Sequence, residues 1–108
     1  MSLDVYLHDP ETSDTLYSAN ITHNLTGMAD AAGIYTHLWR PESLGISTAG
    51  ELIDPLTIGL LNLTLQPAKF KAYNAANGWG KWEHFVPWVA EYLEACRCYP
   101  CALVKVSR

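Results

Sequence analysis

Positive charge is what this sequence holds least of. Residues 1–39 carry Asp4, Asp9, Glu11, Asp14 and Asp30 without one Lys or Arg, and Arg40 is the only cation before Lys69. The whole chain has 7 Lys+Arg against 11 Asp+Glu, a formal net charge of −4. A protein that grips a duplex needs a basic face to neutralise phosphates, so a nucleic-acid duplex does not fit as partner. Long apolar runs are missing too. None approaches the roughly 20 residues of a membrane span, so no membrane partner is expected. The opening Met1-Ser2-Leu3-Asp4 has neither a basic nor an apolar leader region, which predicts no secretory signal and a cytoplasmic chain. On that reading the N-x-T sequons at Asn20, Asn24 and Asn62 stay unmodified, and the three cysteines, odd in number and crowded near the C-terminus, stay reduced. Also lacking are a Walker loop, G-x-G-x-x-G, H-E-x-x-H and G-x-S-x-G. No Ser stands in a nucleophile setting and no close carboxylate pair is evident. No cofactor is implied.

What is present suffices for one domain over 1–108, since 49% of the 108 residues are apolar and a chain of this size can bury a real core. Leu3-Asp-Val-Tyr-Leu7 alternates apolar and polar, the period of a half-buried strand. Asp9–Asp14 is a turn-forming run, and Thr15–Ser18 returns as the second strand of a hairpin. Cys101–Val106 alternates again and predicts a third strand beside the first. Between them the pattern is helical. Ile21, Leu25, Met28, Ala29 and Ala32 predict a helix over 20–32, closed by Gly33 as its C′ residue. The span 34–40 is too short to assign. Thr48-Ala-Gly-Glu51 has capping-box spacing, with Pro55 set to kink or delay the helix that follows. Pro67 opens a short helix to Tyr73, and Trp82–Arg97 is a last helix with Trp82, Phe85, Val86, Val89, Leu93 and Cys96 on one face. The expected fold is α+β: about three main helices packed on a small antiparallel sheet that joins the two ends of the chain.

Three clusters carry candidate chemistry. On a helix over 20–32, Asn20, His23, Asn24 and Gly27 share a face. They either line a pocket, or Asn20 caps the helix, His23 bonds nearby backbone and Gly27 admits an aromatic ring. Next come Tyr35, His37, Trp39 and Arg40. Arg40 beside an indole suits a planar anion, the guanidinium forking onto phosphate while the ring stacks; otherwise Trp39 is core and Arg40 pairs with Glu42 or Asp54. Last is Asn77-Gly-Trp79-Gly-Lys-Trp-Glu-His84. Its glycines let Trp79 either plug the core or close over a ligand, and His84 and Trp88 share a second face of the last helix. Cys96-x-Cys98-x-x-Cys101 lacks a fourth ligand and the paired spacing zinc prefers, so no metal is expected. The segment after Thr48 is apolar on two sides. Leu52, Ile53, Leu56, Leu60 and Leu63 form one stripe, and Ile58, Leu61 and Leu65 form another. The second stripe is covered either by the terminal sheet or by another copy of the chain, and a homo-oligomer is expected.

With Asn20-Ile-Thr-His-Asn24, Gly33-Ile-Tyr35, Leu38-Trp-Arg-Pro41 and Asn77-Gly-Trp-Gly80 in view, the chain resembles, from Ser18 to Arg108, a group of short bacterial and phage proteins with no assigned activity. Nothing catalytic carries over from that group. Its phage members imply an analogy with small oligomeric phage proteins that sequester nucleotide immune signals in the host cytoplasm. The expectation is therefore a non-enzymatic binder of a small nucleotide-like molecule, with Asn20, His23, Asn24, Trp39, Arg40, Trp79 and His84 at the site. Two alternatives stand beside it: a small enzyme on such a substrate with His23 or His84 as general base, and a protein–protein inhibitor using exposed Trp.

Overall fold

A computed structural model describes residues 1–108 and gives an α+β fold. Strand β1 (Ser2–His8) lies at the centre of a three-stranded antiparallel sheet, between β2 (Thr15–Thr22) and β3 (Leu103–Ser107). The alternation read from the sequence places Leu3, Val5 and Leu7 on the inner face, all fully buried. The β1–β2 turn is held by Asp9, whose carboxylate accepts the N–H groups of Glu11 and Thr12. The terminal strands do meet: Val5 pairs with Val106 and Leu7 with Val104.

The expected helix over 20–32 is shorter than its periodicity suggests. Its first three residues belong to β2, where Asn20, Ile21 and Thr22 pair with Asp4, Leu3 and Ser2. Two β-branched residues favour the strand, and Asn20 Nδ2 donates across it to Ser2 Oγ and Asp4 Oδ1, at 2.9 and 2.7 Å. The chain then makes a 3₁₀ turn over His23–Leu25, capped by the Thr22 side chain, before α1 (Thr26–Ala31). Gly33 ends it at φ 80°, a left-handed angle that glycine tolerates. A short α2 (Tyr35–Trp39) fills the span that periodicity left unassigned, and Pro41 follows its end.

Thr48 and Glu51 form the capping box, and a 3₁₀ turn over Ala49–Leu52 precedes α3 (Ile53–Leu65), so Pro55 falls in the first α-helical turn. There its missing N–H costs nothing. After α4 (Pro67–Lys71) comes the loop to α5 (Trp82–Cys98). Helices α3 and α5 pack together with Leu56, Leu63, Phe85 and Val89 fully buried. Gly59 of α3 is set by the close approach of Ile34, just before α2, whose Cγ2 a Cβ there would overlap. The second α3 stripe is covered by nothing in the chain: Ile58, Leu61 and Leu65 are 61%, 55% and 69% exposed. The sheet lies elsewhere.

Candidate functional site

The end of β2, the 3₁₀ turn after it and the loop before α5 enclose one open groove of about 1000 Å³. Its construction begins with the loop. Asn74 Oδ1 accepts the Trp82 N–H at 2.7 Å, Asn77 Oδ1 accepts the Trp79 N–H at 3.0 Å, and Ala75 N–H donates to Gly80 O. The loop is then pinned to the sheet side by Asn24, whose Nδ2 donates to Trp79 O at 2.8 Å. Gly80 permits this approach. Its φ is 110°, and a Cβ would lie 3.0 Å from Asn24 Cβ and 3.3 Å from Thr22 Cγ2. The backbone around Trp79 is thus tied down at several points while its indole stays 72% exposed. A large aromatic held out on a fixed backbone leaves apolar area for something else to cover.

The far wall comes from α5. Trp88 donates its indole N–H to Asn20 O at 3.0 Å, which closes α5 onto the sheet edge, and His84 stands one turn earlier on the same helix face. Five of the expected site residues therefore come together: Asn20, His23, Asn24, Trp79 and His84. They do so from a strand, a turn, a loop and a helix, not from one helix face. Asn20 is already committed to Ser2 and Asp4, so it shapes the wall more than it offers a free group.

Trp39 and Arg40 do not reach the groove. Trp39 is 2% exposed and stacks on Tyr35 at 5.5 Å. Its carbonyl accepts from Arg108, and Arg108 also takes Glu42. Arg40 is exposed and forms no ion pair, so the expected pairing with Glu42 or Asp54 is replaced by Arg108–Glu42. That contact holds the Glu42 carboxyl below its ordinary pKa. Trp39 touches the site only from behind, edge-on to His23 at 6.1 Å. His23 Nε2 and Trp39 Nε1 are both buried without hydrogen-bond partners.

Sequence reasoning missed Trp88 as a liner, although its spacing of four from His84 marks the shared face. Ser2 and Thr22 line the groove without a local signal, and Asn77 of the Trp79 cluster lines it although it is not among the expected site residues. The first two need the β1–β2 register, which no local pattern gives. At Gly27 an aromatic ring does lie over the backbone, that of Tyr73, but a Cβ would meet it at 3.5 Å, an ordinary contact, so the space does not demand glycine. The cysteines stand apart from the groove. Cys96 is buried, Cys98 and Cys101 are exposed, and no group of three or more His, Cys, Asp or Glu is gathered as a metal site would need. Comparison of the chain with protein-family models, curated proteins and solved structures finds no match. The reading of the site rests on its own geometry.

Proposed function

We propose that this chain is a non-enzymatic protein that binds a small nucleotide-like molecule in the groove between Asn24 and Trp79. The observation that carries the proposal is Trp79 itself: an indole 72% exposed on a loop tied down by four hydrogen bonds to Asn74, Asn77, Asn24 and Gly80, beside a groove of ligand size. Stacking of a base on such a ring contributes on the order of 1–3 kcal/mol. The chemistry of the walls supports binding over turnover. General acid–base work needs an oriented proton carrier. No carboxylate lines the groove, His23 has one ring nitrogen buried without a partner, and His84 is exposed at the start of α5.

In the particular form we propose, the ligand is a nucleotide-derived immune signal held out of circulation in the cytoplasm, as the likeness to short phage proteins implies. The working form is a homo-oligomer, for which the exposed Ile58, Leu61 and Leu65 face is the support. The test is to denature protein purified from a lysate supplied with nucleotides and to identify by mass spectrometry what is released. Recovery of an unaltered nucleotide-class molecule is the expected result. Recovery of its hydrolysis product only would favour an enzyme with His23 or His84 as base. Recovery of nothing, with no binding in solution, would overturn the proposal.

A further inference from the structure

The groove's most unusual property is the charge it lacks. Of its 14 lining residues none is Lys, Arg, Asp or Glu. The cations nearest in sequence do not supply one: Arg40 lies outside the groove, and Lys71 pairs with Glu83. Lys81 stands only at the rim, its Cε 3.9 Å from where a Cβ on Gly78 would be. Three of the nearby backbone donors are also taken. The Trp82 N–H at the start of α5 is answered by Asn74, the Asn24 N–H by Thr22 Oγ1, and the His23 N–H by Met1 O. A phosphate placed here would meet no lysine or arginine side chain, its usual charge-assisted partners, and the only amine in the lining is the α-amino group of the fully exposed Met1.

What the groove does offer is an oriented pair of neutral groups. Asn24 Nδ2 is spent on Trp79 O, which leaves Asn24 Oδ1 as an acceptor. Asn77 Oδ1 is spent on the Trp79 N–H, which leaves Asn77 Nδ2 as a donor. These two bonds also decide which way each carboxamide faces, because a flipped amide would set donor on donor or acceptor on acceptor. One free acceptor and one free donor thus flank the exposed indole. That is the complement of a nucleobase edge, which carries donors and acceptors side by side around a flat ring.

We infer that the groove recognises the uncharged base and sugar of its ligand, by stacking on Trp79 and by hydrogen bonds to Asn24 Oδ1 and Asn77 Nδ2, and leaves phosphates in solvent. The inference rests on the nucleotide reading above and specifies which part of the molecule is read. It also replaces the role first expected of Arg40.

The test titrates the intact protein with adenosine, guanosine, cytidine and uridine and with their 5′-mono- and diphosphates, following Trp fluorescence and heat. The base that binds should bind as nucleoside, monophosphate and diphosphate within about threefold. Raising the salt from about 50 to about 500 mM should change its affinity less than about twofold, since no ion pair is there to be screened. Asn77→Asp keeps the acceptor that Trp79 uses, loses the free donor and adds a negative charge, so it is judged on the uncharged nucleoside. It should weaken the nucleoside about tenfold with an unchanged melting temperature. Affinity that climbs about tenfold with each phosphate, falls with salt and is lost in Lys81→Ala would overturn the inference while leaving a nucleotide binder. Unchanged nucleoside affinity in Asn77→Asp would overturn the assigned base contact. Absence of binding by every nucleoside and nucleotide would overturn the reading beneath it as well.

Discussion

Burial separates three cysteines that sequence alone leaves equivalent. The Cys96 thiol is pushed up to about 12 by desolvation inside α5, so it stays protonated and unreactive at neutral pH. Cys98 and Cys101 are exposed. Native protein treated with iodoacetamide should therefore gain two adducts by mass, and denatured protein three; a third adduct in the native state would contradict the packing of α5. Tyr92 makes a similar point. It is fully buried, its hydroxyl has no partner, and burial drives its pKa far above the usual phenol range. An orphaned hydroxyl costs free energy in the folded state, so Tyr92→Phe should leave stability unchanged or raise it by up to about 1 kcal/mol. Chemical denaturation that finds a loss above about 1 kcal/mol would mean that the hydroxyl is bonded after all.

At the scale of elements, local chemistry was legible in the sequence and pairing was not. The Thr48–Glu51 capping box, the Gly33 terminus and the helix after Trp82 are each set by neighbours within one turn, and each stands where the pattern put it. The strand character of Asn20–Thr22 depends on residues 16 or more positions away in β1, and the helical spacing of Ile21, Leu25 and Met28 masked it. The same non-locality hid half the site. Trp79 and His84 announce themselves by their setting, whereas the approach of Asn24 to the loop needs the finished sheet. Glu51 accepts the Ser47 and Thr48 N–H groups, and these bonds hold its carboxyl below the ordinary range. A lowered folded pKa means stability that is present above the unfolded pKa and lost as pH falls through the folded one. Melting of Glu51→Gln should thus lie below that of the natural chain at neutral pH, with the gap closing on acidification; a gap that widens in acid would contradict the assignment. Gly59→Ala would gain about 1 kcal/mol of helix propensity, but the Cβ overlaps the stiff, branched Ile34, and overpacking of this kind costs about 1–3 kcal/mol. A net loss of stability is expected, and in an Ile34→Ala background, which lacks the overlapping Cγ2, the cost of Gly59→Ala should shrink.

For the whole molecule, the core is complete within one chain. The Cα radius of gyration is 13.3 Å, close to the roughly 13 Å expected of a single domain of this length, and no charged or polar residue is buried. The exposed α3 face is therefore a surface added to a finished fold, not a gap in it. Self-association through Ile58, Leu61 and Leu65 should then be separable from folding. Leu61→Glu should convert a larger species to a 12.0 kDa monomer in light scattering with its circular dichroism unchanged, because a carboxylate stranded in an apolar interface is costly. A natural chain that is already monomeric at micromolar concentration would contradict the oligomer. The groove lies at the other end of this logic: its walls are drawn from β2, the turn after it, the Trp79 loop and α5, so only the assembled molecule has it. That junction is where a ligand should bind. An amide-resolved NMR titration of the labelled protein with the nucleosides and nucleotides named above tests it most directly. Shifts should concentrate at Thr22–Leu25, Asn77–Gly80 and the Trp79 indole, and fade toward Tyr35–Arg40. Shifts centred on Tyr35–Arg40, or none at all with any ligand, would contradict it.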